Sequence, residues 1–412
     1  MEVVYSRCCG LDIHKKTVVA CRILPGPQGG PAKEIKTFGT MTADLLALSD
    51  WLTAGGVTHV AMESTGVYWK PLYNLLEGNF TLLLVNAQHL SRVPGRKSDV
   101  ADSEWLADLL RHGLVKASFV PERDQRELRE LTRSRTSLIR ERAAEVNRLQ
   151  KVLEGANLKL AAVASDVTGK SAREMLTALV SGETDPTVLA EMAKGRLREK
   201  IPLLEQALRC QFGAHQQFLV TRQLAHLDYL DGVIAELDAE VAKRVRPFEA
   251  AVDRLQTING VGRRIAEIVV AEIGTDMSRF PTDAHLASWA GMCPGQQESA
   301  GKRQSGKTRK GSPWLRSALV QAAHAVRGQR DTYAGAQYRR LASRRGAKRA
   351  AIAVGHAQLV AAYHILKDEV EYHDLGGQYF DERDRQGVVR RSVKRLESLG
   401  YQVDLQPALA AA

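Results

Sequence analysis

Arg7–Leu24 reads RCCGLDIHKKTVVACRIL, and this stretch decides the class of the N-terminal fold. Two apolar, strand-like runs flank the polar trio His14-Lys15-Lys16, which predicts two strands joined by a turn. Downstream, a third strand is expected around Lys33–Gly39 and a helix over Ala43–Thr53. A strand (His59–Glu63), a helix (Val67–Glu77), a strand (Phe80–Asn86) and helical segments from about Ala87 to His112 complete the series.

Three strands followed by alternating helices and strands match the ribonuclease-H-like order, so residues 1–121 are read as an α/β domain. Residues 122–155 are charged and helical, with apolar positions Leu128, Leu131, Leu138, Val146, Leu149 and Leu153. In a second such segment Leu227, Ile234 and Val241 recur seven apart, with Leu230 and Leu237 interleaved. These are a and d positions, so region 122–250 is expected to hold an antiparallel hairpin or a coiled coil between subunits. Its middle, roughly 156–200, is punctuated by Gly, Ser, Thr and Pro and carries no readable period.

Residues 251–370 read as a mainly helical C-terminal domain. Two helical stretches meet at Ile258-Asn259-Gly260-Val261-Gly262, a basic Gly/Ser-rich loop spans Gly295–Gly311, and helices follow at Trp314–Arg327 and Ala347–Leu366. Residues 371–412 form a tail with one more amphipathic segment. The whole is α/β plus all-α.

The 412 residues, 44% hydrophobic and 25% charged, have globular composition and can bury a large core without disulfides. Five cysteines with no C-x-x-C pair argue against a disulfide framework or a structural zinc, and fit a reducing compartment. The N-terminus lacks an apolar signal region and no run approaches 18 apolar residues, so a cytoplasmic protein away from membranes is expected. Residues 283–360 hold 14 Lys/Arg against three acids, which accounts for the entire net charge of +11. Charge confined in this way is the footprint of a polyanion, with nucleic acid as the leading partner and a solvated basic surface as the plain alternative.

Four acids could carry chemistry. Asp12 lies in a predicted strand among apolar neighbours, where an unpaired carboxylate is costly to bury. Glu63 ends another strand, just before Ser64-Thr65-Gly66. Asp99 and Asp102 are three apart on a predicted helix and share one face. Strand ends crossed by a helix can gather such carboxylates, whose mutual repulsion a divalent cation relieves. Hard oxygens suit Mg²⁺, which serves phosphodiester cleavage. Lys97 and Ser98 add a cation and a hydroxyl, Ser98 also being a helix N-cap candidate. Glu104 and Asp108 on the same helix are read as solvent-facing. Singly, each of these acids reads first as a solvated structural residue, and only the combination with the fold order carries weight.

Ile258-x-Gly260-Val261-Gly262 is similar to a helix-hairpin-helix turn, where glycines let backbone N–H groups approach a phosphate. A tight turn between packed helices is the alternative, and Arg263 and Arg264 shift the balance toward DNA. The run Gln296–Gly311 places Ser299 and Ser305 among Lys302, Arg303, Lys307, Arg309 and Lys310, with Trp314-Leu315-Arg316 beyond. Serines there solvate the loop or bind phosphate. As a nucleophile, a serine needs cations such as Lys302, Arg303 and Arg316 to stabilise developing charge. There is no G-x-S-x-G, Walker A or G-x-G-x-x-G motif, which leaves hydrolase and nucleotide-binding readings unsupported.

Taken in order, these motifs resemble one family, the DEDD insertion-sequence transposases (the insertion-sequence one-ten family), whose studied members are bridge-RNA-guided DNA recombinases. The resemblance runs through Gly10-Leu11-Asp12, Glu63-Ser64-Thr65-Gly66 and Lys97-Ser98-Asp99-Val100-Ala101-Asp102. It continues through Ile258–Gly262, Ala287–Pro294, Glu298-Ser299, Trp314-Leu315-Arg316 and Tyr379–Arg383, about 370 residues in all. It implies a RuvC-like domain whose Asp12, Glu63, Asp99 and Asp102 bind Mg²⁺. It further implies a C-terminal transposase domain whose serine, here Ser299, forms a covalent phosphoserine with DNA. The glycine turn and the basic loop supply the expected nucleic-acid contacts: Gly260, Gly262, Arg263, Lys302, Arg303, Lys307, Arg309, Lys310 and Arg316. Dimers assembling to a tetramer, donor and target DNA, and an element-derived noncoding bridge RNA are the implied partners, with the protein associated with the nucleoid when bound to DNA. Ala300 departs from the Gly or Ser that often follows the serine, so Ser305 remains a rival. A metal-only nuclease resembling a Holliday-junction resolvase is the alternative enzyme.

Overall fold

The computed structural model describes residues 2–27, 30–64, 66–86, 99–295, 297–299, 302–305 and 307–406, and for 99–101, 297–299 and 302–305 the backbone alone. The chain divides into two compact units, Met1–Pro121 and Glu122–Ala412. Among the described residues, no helix is long and apolar enough to cross a membrane.

The first unit is a five-stranded mixed sheet in the order β3-β2-β1-β4-β5. Its strands are β1 (Cys8–Ile13), β2 (Thr17–Pro25), β3 (Pro31–Gly39), β4 (His59–Glu63) and β5 (Thr81–Val85). The expected hairpin is present: β1 and β2 pair antiparallel, Asp12 opposite Val19, with His14 N–H donating to the Thr17 carbonyl. Alternation decides the layers, because successive side chains point to opposite faces of a sheet. Cys9, Leu11, Ile13, Val18 and Ala20 pack with Leu48 and Leu52 of α1 (Thr42–Ala54) and Leu72 and Leu76 of α2 (Trp69–Leu76). On the other face Cys8, Cys21, Ile23, Ala61 and Val85 pack with Leu106, Ala107 and Leu110 of α3 (Asp99–Arg111). The part of the expected helical stretch covering 87–98 lies outside the described residues, and with it Lys97 and Ser98.

In the second unit two long helices, α4 (Arg123–Gly155) and α8 (Ala214–Val245), run antiparallel. Ion pairs Glu127–Arg244, Arg135–Asp238 and Arg142–Asp231 fix that direction, since one residue number falls as the other rises. Leu227, Leu230, Ile234 and Val241 are buried, whereas Leu237 is only partly so. The unreadable middle becomes short helices α5 (Lys170–Val180), α6 (Pro186–Glu191) and α7 (Ile201–Leu208). Their Met175, Leu176, Leu189 and Leu204 join Leu149 and Leu153 of α4 and Val220 and Leu224 of α8 in one core, which closes that end of the pair.

The remainder is a helical bundle of α9 (Glu249–Gln256), α10 (Arg263–Ile273), α11 (Asp283–Trp289), α12 (Pro313–Ala325), α13 (Tyr333–Arg345) and α14 (Ala347–Asp368). Two short helices, α15 (Tyr379–Arg383) and α16 (Arg385–Ser398), follow. Residues 295–311 are not the irregular loop expected. They contain the strands β6 (Gln297–Ser299) and β7 (Lys302–Ser305) of an antiparallel ribbon, and α13 was not anticipated at all.

Candidate active site and nucleic-acid interface

In the first unit, β1 and β4 are parallel neighbours with Leu11 opposite Met62, so the next step along both strands brings Asp12 level with Glu63. Asp12 shares its face with Cys8, and Glu63 with Ala61, so both lie on the α3 side at the C-terminal ends of parallel strands. Those ends are where open α/β sheets form ligand crevices. The direction of α3 carries the argument further. Its Arg111 carbonyl accepts from Val4 and Tyr5 N–H (2.9 and 3.0 Å), and its Ala107 carbonyl from the Cys8 thiol (3.7 Å). Gly10 lies so close to the Ser103 carbonyl and the Ala107 nitrogen that any side chain there would collide with backbone. Helix numbers thus fall as strand numbers rise, and α3 brings its Asp99–Asp102 end toward Asp12.

Asp12 is mostly buried, its side chain 13% exposed, and its Oδ2 lies 3.1 Å from His14 Nε2. Glu63 and Asp102 are half-buried and form no ion pair among the described residues. Hard carboxylate oxygens on one face suit Mg²⁺ in kind. Among the described residues, however, no group of three or more His, Cys, Asp or Glu side chains is placed to hold a metal ion. Glu104 and Asp108, expected to face solvent, are partly exposed, and both accept hydrogen bonds from Lys33 Nζ, at 2.7 and 2.9 Å, tying α3 to β3. Burial opposes the charge on Lys33, but those two carboxylates outweigh it and raise its pKa. Sequence reasoning also passed over His14. Its spacing of two from Asp12 on a strand end was the available signal.

In the second unit Ser299 ends β6 and pairs with Lys302, and Glu298 pairs with Arg303. The ribbon continues toward its base through the Gly295 N–H to Lys307 carbonyl bond (2.8 Å) and a bridge between Pro294 and Thr308. At the base, Gly311 lies directly against the backbone of Ala290 and Gly291. Arg309 donates to Ser288 Oγ at 3.5 Å, and Lys310 is exposed. The side chains of Ser299, Lys302, Arg303 and Ser305 lie outside the described residues.

Beyond the ribbon, Ser312 caps α12 and donates to Glu272 Oε2 at 3.0 Å. Glu272 is fully buried on α10 and also receives both forks of Arg133 of α4, at 2.7 and 2.9 Å. Trp314 sits under the guanidinium groups of Arg133 and Arg140, at 5.9 and 5.1 Å. Arg316 is half-buried and has no ion pair among the described residues. None of this polar tether was anticipated. The signal for it was Glu267 and Glu272 inside the otherwise apolar run Ile265–Ile273, since buried acids are normally paired.

The glycine turn answers first to packing. Gly260 has φ +84° and lies against the Ala322 carbonyl, with Val326 Cγ1 at 2.7 Å from where a Cβ would stand, so only glycine fits. Gly262 precedes α10 as its N-cap residue. Arg263 grips Glu249 with both forks (2.6 and 3.0 Å) and reaches Glu267 at 3.0 Å, while Arg264 reaches Asp238 at 2.5 Å. The hydrogen bonds that Arg263 donates to Glu249 raise its pKa above the ordinary value. In the geometry described, both arginines brace the turn from within the chain.

Comparison with known proteins gives two family matches. A model described as Transposase, of the DEDD type from IS110 elements, matches residues 9–158. One described as Transposase IS116/IS110/IS902 family matches residues 252–339. The chain is 27% identical over 271 residues to a "Probable family 20 transposase" of Pseudomonas aeruginosa, covering 65% of this chain and 70% of the relative. It is 24% identical over 369 residues to the "Transposase for insertion sequence element IS1111A" of Coxiella burnetii, covering 88% and 90%.

Proposed function

We infer from the two family matches that this chain is an insertion-sequence transposase of the IS110 family, and we propose that it cuts and exchanges DNA strands through a covalent serine intermediate. The observation that carries the proposal is a division of labour. One matched segment builds a sheet with acids at its parallel strand ends, and the other contains a β-ribbon whose first strand ends on Ser299. The sheet order supports a ribonuclease-H-like, RuvC-like reading of the first unit.

In the proposed step, Ser299 Oγ attacks the phosphorus of a phosphodiester and gives up its proton to solvent. The serine–phosphorus bond forms as the bond from phosphorus to one sugar oxygen breaks, and that oxygen takes up a proton. A hydroxyl from another strand then reverses the sequence and reseals the backbone, so no nucleotide is consumed. Lys302, Arg303 and Arg316 stabilise charge on the phosphate, and Lys307, Arg309 and Lys310 hold the flanking backbone. If Asp12, Glu63, Asp99 and Asp102 hold a divalent cation, it would supply positive charge to a phosphate bound at that sheet end.

Guidance by a bridge RNA is part of the proposal, since base pairing can supply sequence while the protein grips backbones. So is assembly of dimers into a tetramer. Phe218 and Tyr229, eleven residues apart and so on one face of α8, are exposed and support docking of a second copy there.

The test is a covalent trap. The protein, its element-derived RNA, end-labelled donor and target DNA and Mg²⁺ are combined, denatured and examined for a labelled protein–DNA adduct. We expect an adduct with wild type and none with Ser299→Ala. Cleavage without an adduct, unchanged in the variant, would transfer the chemistry to the carboxylates and favour the metal-only nuclease.

A further inference from the structure

We propose that the turn between α13 and α14 is a grip for the phosphate backbone of duplex DNA, separate from the serine ribbon. Arg344, Arg345, Lys348 and Arg349 cluster around Gly346, the single residue joining the two helices. All four are exposed, and none has an ion pair or side-chain hydrogen bond among the described residues.

Several arginines of the long helix pair, of α5 and of α10 are used differently. Arg129, Arg133, Arg135, Arg142, Arg173, Arg244, Arg263 and Arg264 are all bound to carboxylates or carbonyls of the chain. Sequence explains the contrast. From Thr332 to Lys367 there are seven Lys/Arg and no Asp or Glu, so the segment contains no acid of its own to pair with them.

Helix stability accounts for only half of the cluster. Arg344 and Arg345 close α13, where cations favour the helix dipole. Lys348 and Arg349 open α14, where the dipole favours acids. The last two therefore work against their own helix and need a reason outside it. Packing needs them no more, because α13 and α14 are held by Ala334, Tyr338, Ala350, Ala351 and Val354 beneath.

Four adjacent cations without internal partners suit a row of phosphates, which a duplex offers continuously and a small anion does not. We commit to DNA because the patch belongs to the unit that carries the second transposase match and the serine ribbon. The inference rests on the reading that the chain handles DNA, and not on serine chemistry.

The full-length chain would be titrated with a labelled DNA duplex of about 30 base pairs across a salt series, in parallel with a duplex RNA of equal length. The variants are R344A/R345A/K348A/R349A and, as control, R148A/K151A on α4. We expect the quadruple variant to bind DNA at least about tenfold more weakly at moderate salt. Its log–log salt slope should be shallower by about 2 to 4, with thermal unfolding unchanged. A wild-type slope, or a loss no greater than the control's, sinks the grip alone. A loss confined to RNA also overturns it. A wild-type chain that does not bind DNA sinks the DNA reading with it.

Discussion

The two units treat buried charge in opposite ways. In the helical unit Glu267 and Glu272 are nearly or wholly inaccessible, and each meets an arginine of α4, Arg135 for the first and Arg133 for the second, with Arg263 of their own helix adding a further contact to Glu267. In the sheet unit Asp12 faces a histidine, while Glu63 and Asp102 have no ion pair among the described residues. A carboxylate enclosed by guanidinium groups is spent on holding helices together. In the function proposed above, one left at a sheet end without such a partner is available to a cation instead. The same contrast separates Arg135, bound on the inside, from Arg344–Arg349 on the outside.

The contrast can be broken at its strongest point first. Arg135→Ala leaves Glu267 buried without its closest cation, and should cost about 3–5 kcal/mol of unfolding free energy. Arg135→Met with Glu267→Leu should recover most of that, because Arg263 keeps Glu249 and Asp238 keeps Arg264. Denaturant midpoints of the single and double variants decide it. A single variant as stable as wild type would show that the network holds nothing.

The opposite pattern is expected at the sheet end. Glu63→Gln or Asp102→Asn should lower strand exchange at least about a hundredfold, the scale of losing a group that acts on reacting charge. Unfolding free energy should stay within about 0.5 kcal/mol of wild type. Stability and exchange falling together would make these acids structural, and erase the distinction.

Much of the sheet was legible because alternation fixes both strand and face. Arg7–Leu24 and His59–Glu63 announce which residues enter which layer, and the heptads of α8 announce a partner helix. The ribbon was not legible, since Lys, Arg, Gly and Ser at 301–311 carry no apolar period. Nor was α13, whose inward positions are Ala334, Gly335 and Tyr338 rather than large aliphatics. The region around α5–α7 was opaque because its helices are short and their apolar residues form a core only together with α4 and α8. The ion network was hidden for a simpler reason: arginine and glutamate on a helix read as solvated until another helix is brought against them. At the candidate site, sequence supplied Asp12, Glu63, Asp99 and Asp102. The direction of α3 over β1, which relates them, came only from the fold.

The smallest effect concerns thiols. Burial raises the pKa of Cys8 to about 12 and that of Cys21 to about 11, so neither is a thiolate at neutral pH. Between pH 9 and those values the folded chain keeps protons that the unfolded chain releases, and stability therefore falls as pH rises. Lys33, with its raised pKa, contributes in the same direction: its stabilisation is complete below pH 10.5 and fades as pH climbs through the folded value. At pH 8 alkylation followed by mass spectrometry should label the half-buried Cys293 well before Cys8 and Cys21. Equal rates would show that the sheet opens more readily than its packing implies.

The contact at Gly10 has a consequence for how such a molecule can change over generations. Where β1 meets α3 most closely, main chain lies on main chain, with no rotamer to switch and no methyl group to gain or lose. The apolar layers on both faces of the sheet can be rewritten residue by residue, swelling or shrinking, without sliding the helix along the strand. The spacing between an acid on β1 and one at the start of α3 is in this sense inherited separately from the core around it. A lineage could replace nearly every buried side chain in this unit and still hand down the same interval.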